Sequence, residues 1–102
     1  MKFSDALEEC IKGKCISRTD WNGKNQYVYY VKPHKVPVNE WVGDVPLTDH
    51  ERLVGYVDIQ GHFDMVNAQG LRIIGWLASQ TDMASDKWII VGESDITSSR
   101  TQ

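Results

Sequence analysis

Phe3, Ala6, Leu7, Cys10 and Ile11 recur at helical spacing and line one apolar stripe. Ser4 stands where an N-cap belongs, because its hydroxyl can accept from a free amide of the first turn. Asp5 and Lys12 put charges of the right sign near the two ends of the helix dipole. Gly13 then stops the helix, since it enters the left-handed region without a Cβ clash. A helix this short is not stable alone, so its stripe is expected to lie on a sheet.

The pattern then changes to the two-residue period of strands. Lys14 to Arg18 predicts a short strand, followed by a turn at Asp20-Trp21-Asn22-Gly23-Lys24, where Asn-Gly tolerates positive φ. Gln26 to Lys32 is aromatic or β-branched through Tyr27–Val31 and predicts a strand with apolar bulk on both faces. One face would meet the helix and the other a partner or ligand. Pro33 to Asp49 is irregular, because its three prolines each remove a backbone donor. A packed loop with one short edge strand is expected there. Leu53 to Ile59 reads as a strand bulged at Gly55. His62 to Val66 and Leu71 to Ile74 pair across an Asn67-Ala68-Gln69-Gly70 hairpin. Ser79 to Ser85 forms one or two helical turns capped by Ser79 or Thr81, and Lys87 to Val91 is the last strand. The expected fold is α+β: an antiparallel β-sheet packed by one N-terminal helix, in a small single domain over residues 1–92. Residues 93–102 hold a single aliphatic, Ile96, and are expected to be a disordered tail.

Composition narrows the function. The chain has 102 residues, enough for one domain, and a domain of this size gains from self-association. The formal net charge of -3 offers no electrostatic grip on DNA or RNA. No apolar run approaches the roughly 18 residues of a membrane span. The Met1-Lys2-Phe3-Ser4-Asp5 start turns acidic at once, unlike a signal peptide, and a soluble intracellular protein is expected. Cys10 and Cys15 lack metal or redox spacing and read as reduced, small apolar side chains.

Few residues are spaced for catalytic chemistry. No phosphate-cradling glycine loop and no nucleophile elbow is present. His34, His50 and His62 have no ligand-type spacing with the cysteines. His62 and Asp64 share a strand face, where they could orient an imidazole or hold a polar ligand, although a surface pair is the commoner outcome. Asp82 and Asp86 are one helical turn apart, which alone makes no hydrolase. Aromatic residues are abundant instead, with four Trp and four Tyr. Trp88 and Tyr27 read as core or interface. Trp21 and Trp76 adjoin small polar residues in turns and are better placed for a ligand. The stretch Trp76-Leu77-Ala78-Ser79-Gln80-Thr81-Asp82-Met83 has two readings of equal weight at this point: a grip for a small polar ligand, or a hydrophobic anchor before a helix cap.

Three segments carry a family resemblance: Trp21-Asn22-Gly23-Lys24, His62-Phe63-Asp64-Met65 and Trp76-Leu77-Ala78-Ser79-Gln80-Thr81-Asp82. With the opening Phe3-Ser4-Asp5-Ala6-Leu7, Lys12-Gly13-Lys14 and the closing Asp86-Lys87-Trp88, the chain resembles the Thoeris anti-defence proteins of the second type from phages. The resemblance runs over about residues 3 to 91. Gly61 and Gly75 stand where relatives often carry Pro, and the Pro33 to Leu53 segment matches poorly.

The resemblance implies a sponge, not an enzyme. It implies binding and sequestration of glycocyclic ADP-ribose, the nucleotide signal of Thoeris defence, without degradation and without a cofactor. It further implies a homotetramer with pockets between protomers, working in the host bacterial cytoplasm during phage infection. By the same resemblance, Trp21 and Trp76 would line the pocket, while Asn22, Ser79, Thr81 and Asp82 would hydrogen-bond hydroxyls or base edges. The amides of residues 79–81 could face a phosphate, and Arg72 or Lys24 could supply positive charge. Two alternatives stay open: a sponge for cyclic di- or trinucleotides, and an inhibitor that binds a defence protein directly.

Overall fold

The helix comes first. Phe3–Ile11 (α1) is helical, but it begins one residue before Ser4, with Lys2 at the cap position and no side-chain cap. Ser4 therefore lies inside the first turn. The entry is fixed instead by the Ala6 amide, which donates to the Lys2 carbonyl at 3.1 Å, and by Phe3, whose ring packs 5.3 Å from that of Trp88. Gly13 takes φ +114°, and its amide donates to the Cys10 carbonyl. The computed structural model describes residues 1–23, 25–41 and 45–92. The tail expected at 93–102 lies outside the described residues, as does Lys24.

The chain forms two compact units: Met1–Val31 together with the chain from His62 onward, and Lys32–Gly61. The first unit holds a five-stranded antiparallel sheet of Cys15–Arg18 (β1), Tyr27–Val31 (β2), His62–Val66 (β5), Arg72–Ile73 (β6) and Trp88–Val91 (β7), in the order β6-β5-β2-β1-β7. Ile16 lies opposite Val28 and Ile90, Val28 opposite Met65, and Met65 opposite Ile73. Residues in register share a face, so these side chains form one row. Helix α1 packs on that face, against β1, β2 and β7. The buried core there is Ala6, Cys10, Ile16, Val28, Met65 and Trp88. Full burial of an Ile or Val side chain stabilises by about 1.5–3 kcal/mol. Cys10 and Cys15 are free thiols, and burial, helped by the nearby Cys15, pushes the Cys10 pKa up to about 11. An un-ionised thiol of this kind packs as a small apolar side chain.

The second unit corrects the sequence reading. Asp49–Val54 is a helix (α2), so the expected strand is confined to Tyr56–Ile59 (β4). Thr48 and Glu51 form a reciprocal capping box at its start, and Gly55 ends it in the left-handed region at φ +88°. His34–Pro37 (β3) pairs antiparallel with β4 in a sheet of their own, followed by a short 3-10 turn at Val38–Glu40. The α+β class and the helix-on-sheet packing agree with expectation. Among the described residues the single sheet becomes two, and the unexpected helix α2 joins α1, while Gln80–Ala84 (α3) is the helical turn expected from Ser79 to Ser85. No described helix is long and apolar enough to cross a membrane.

Candidate functional site

The site is assembled in the first unit by two turns that leave the sheet. The first follows β1. It is closed where the Trp21 amide donates to the Arg18 carbonyl and the Thr19 amide to the Lys87 carbonyl. The Asn-Gly signal is real: Gly23 has φ +136°, and a Cβ there would come within 2.9 Å of Ala68 Cβ. Ser17 Oγ donates to the Gln26 carbonyl at 2.7 Å, and Gln26 Nε2 donates to the Gly23 carbonyl, which ties the turn back to the sheet. The second turn carries Trp76 into α3. Ser79 is its N-cap, in a capping box completed by Asp82.

These turns bring three tryptophans together. Trp88 is fully buried, and the half-buried Trp21 and Trp76 meet it edge-on, with ring centroids at 5.3 and 6.1 Å. Trp21 and Trp76 stand 6.5 Å apart with their planes at 67°. Edge-to-face pairs of this kind are worth about 0.5–1.5 kcal/mol each beyond their buried area. The cluster is therefore both core and wall: Trp88 is its floor, and the other two indoles keep a side toward solvent.

Asp82 ties this cluster together. Its carboxylate Oδ1 accepts from Arg18 Nη1 at 2.7 Å and from Trp21 Nε1 at 3.1 Å. Oδ2 accepts from the Ser79 amide at 2.9 Å, and the Asp82 carbonyl accepts from Trp88 Nε1 at 2.8 Å. Asp82 is only 7% exposed. Arg18 also forks onto Asp20, so its charge is shared between two carboxylates. Sequence reasoning did not single out Arg18, because its partner lies 64 positions away.

Burial by itself would raise the Asp82 pKa, but the Ser79 amide, Arg18 and Trp21 outweigh it and hold the carboxyl below the usual value. Such a carboxylate is a weak base and a firm structural anion. The folded-state pKa lies below that of the unfolded chain. The stability supplied by ionised Asp82 is therefore complete above the ordinary carboxylate pKa of about 3.9 and is lost as pH falls through the depressed folded value. The stability gap between the parent and Asp82→Asn should close as pH drops below about 4, which chemical unfolding at stepped pH would measure.

Of the residues expected at the site, Trp21, Trp76, Ser79, Thr81 and Asp82 are brought together. Ser79 and Thr81 are exposed, with their hydroxyls 3.0 Å apart. Asn22 is exposed beside Trp21. The Ser79 amide, suggested for a phosphate, is already bonded to Asp82. Arg72 does not join the group. It lies opposite Val66, on the other face of the sheet from the core, with its guanidinium carbon 5.3 Å from the centroid of the Tyr29 ring. The arrangement sets two half-buried indoles and two exposed hydroxyls around an ionised carboxylate whose oxygens are already engaged.

Fold and site together define a class: a small α+β domain that presents a carboxylate-braced tryptophan wall beside a capped helical turn. The sequence matches the Thoeris anti-defense 2-like domain over residues 1–91, and the chain belongs to that family. It is 25% identical over 91 residues to Thoeris anti-defense 2 of Bacillus phage SP01, a stretch that covers 89% of this chain and 94% of that protein.

Proposed function

We propose that this protein is an anti-Thoeris sponge that binds glycocyclic ADP-ribose and withholds it, undegraded, from the defence effector. Family membership supports the anti-Thoeris role. The observation that carries the finer reading is the pair of half-buried indoles, Trp21 and Trp76, beside the exposed hydroxyls of Ser79 and Thr81. An ADP-ribose-type ligand offers an adenine face for stacking and ribose hydroxyls for hydrogen bonds. Stacking of a base on an aromatic side chain is worth about 1–3 kcal/mol. Asn22, Ser79 and Thr81 would meet the polar edges. Asp82 acts one step back, holding Trp21 and Arg18 in place. Sequestration needs affinity and abundance but no turnover, so the site needs no nucleophile and no cofactor.

The working form in this proposal is a homotetramer with pockets between protomers, acting in the host cytoplasm during infection. Leu77, 90% exposed beside Trp76, and the exposed Leu71 and Ile74 support an interface bordering the site.

A thermal-shift panel of glycocyclic ADP-ribose, cyclic dinucleotides and cyclic trinucleotides tests the ligand. At a ligand concentration one hundred times Kd, binding stabilises by about 2.7 kcal/mol. For a domain near 100 residues each kcal/mol raises Tm by about 4–8 °C. The proposal expects the large shift with glycocyclic ADP-ribose. A shift with a cyclic oligonucleotide alone would transfer the sponge to a different signal, and no shift with any of them would favour a protein-binding inhibitor.

A further inference from the structure

The ladder between β5 and β6 contains a shift that decides where Trp76 points. Met65 lies opposite Ile73 and Val66 opposite Arg72. Continued without change, that register would set Gly75 opposite Phe63 and Trp76 opposite His62. Trp76 would then share the face of Tyr29, Asp64 and Arg72, away from the core. Instead the Trp76 amide donates to the Phe63 carbonyl at 2.6 Å. The chain has slipped by one residue at Gly75, which sits in the left-handed region at φ +84°. A one-residue slip exchanges the two faces. It delivers the Trp76 ring to the core side, where it meets Trp88 and Trp21.

The slip leaves the Gly75 amide out of the ladder, and Asp64 receives it. Asp64 Oδ1 accepts from the Gly75 amide at 2.8 Å. Asp64 is 3% exposed, and its other contacts brace it: His62 Nε2 lies 3.3 Å from Oδ1, and Tyr29 Oη donates to Oδ2 at 3.5 Å. The Arg72 guanidinium stands beyond, beside the Tyr29 ring. Consecutive residues of β5, Phe63 through its carbonyl and Asp64 through its side chain, thus take the consecutive amides of Trp76 and Gly75.

We infer that Asp64 is the positioning residue for the ligand wall: by accepting from the Gly75 amide it holds the register shift that turns Trp76 toward Trp21. The inference rests on the proposed binding role of Trp76. Asp82 braces the wall at its Trp21 side, and Asp64 braces it at its Trp76 side. A carboxylate suits the task because it can accept from the displaced amide, the imidazole and the phenol together.

The test compares the full-length parent with Asp64→Ala and Asp64→Asn by amide and indole NMR of the ligand-free protein, then measures nucleotide affinity. In Asp64→Ala the Gly75 amide and the Trp76 indole signals should move and broaden. The Trp21 and Trp88 indoles, both tied to Asp82, should stay sharp and move less, by the altered ring current of Trp76 alone. Asp64→Asn keeps an oxygen acceptor and should return Trp76 to a single sharp signal, while the Gly75 amide shifts because its acceptor is now neutral. Affinity for glycocyclic ADP-ribose should fall about tenfold or more in Asp64→Ala and recover in Asp64→Asn to within about threefold of the parent. An unmoved Trp76 signal in Asp64→Ala, or equal movement of all three indoles, would overturn the inference. If Asp64→Ala does not fold, the Gly75 amide in Asp64→Asn decides, and no shift there would overturn it. A parent that binds no nucleotide would overturn the binding role alone, since the ligand-free signals still report on Asp64.

Discussion

Asp82→Ala should cost the domain about 1–3 kcal/mol, the usual penalty for leaving partly buried donors without an acceptor, since Arg18 keeps its pairing with Asp20. The change leaves Arg18 Nη1, Trp21 Nε1 and the Ser79 amide without their acceptor at once. Small domains have only about 5–15 kcal/mol in total. The variant should therefore unfold at lower urea concentration than the parent, and α3 should fray because its capping box keeps only the bond from the residue 82 amide to Ser79 Oγ. Asp82→Asn keeps the volume and one oxygen, and should fall between the two. A loss below about 1 kcal/mol, the range of an exposed salt bridge, would mean that the carboxylate does not organise the cluster.

Trp76→Ala should weaken nucleotide binding by about tenfold to a hundredfold, given about 1–3 kcal/mol for a stacked base. Trp76 makes the cleaner test of the two walls. Its backbone is held by the Phe63 carbonyl and by the Gly75 amide bond to Asp64, neither of which uses its side chain, whereas Trp21→Ala also removes a donor from Asp82. Titration calorimetry on both variants, with urea unfolding beside it, separates lost contact from lost structure. Unchanged affinity in both would put the pocket elsewhere on the molecule.

The sequence carried much of this fold because periodicity is local. The apolar stripe of α1, the β-branched run of β2 and the hairpin at residues 67–70 could all be read from near neighbours. The misreadings were also local. Leu53 and Val54 continue the apolar pattern of Val57 and Ile59, although Thr48, Glu51 and Gly55 mark a capped helix with a glycine stop. Strand order was not legible, since β3 pairs with β4 in a sheet apart from the other five strands. At the site, polar neighbours single out Trp21 and Trp76, whereas Ser79, Thr81 and Asp82 are assigned to it only through the family resemblance. Their convergence was hidden, because it depends on Arg18 and Asp82 meeting across 64 positions. The inward turn of Trp76 was hidden for another reason. Alternation alone would have pointed its ring to the other face, and only the slip at Gly75 corrects it.

The most direct test of the proposed function is recovery of the signal. Purified protein in excess is mixed with glycocyclic ADP-ribose and passed through a filter that retains the protein. The filtrate should be depleted of the signal. Heating the retained protein should then release glycocyclic ADP-ribose chemically unchanged and in near-stoichiometric yield. Release of a cleaved product would make the protein an enzyme, and a filtrate that still holds all of the signal would contradict sequestration.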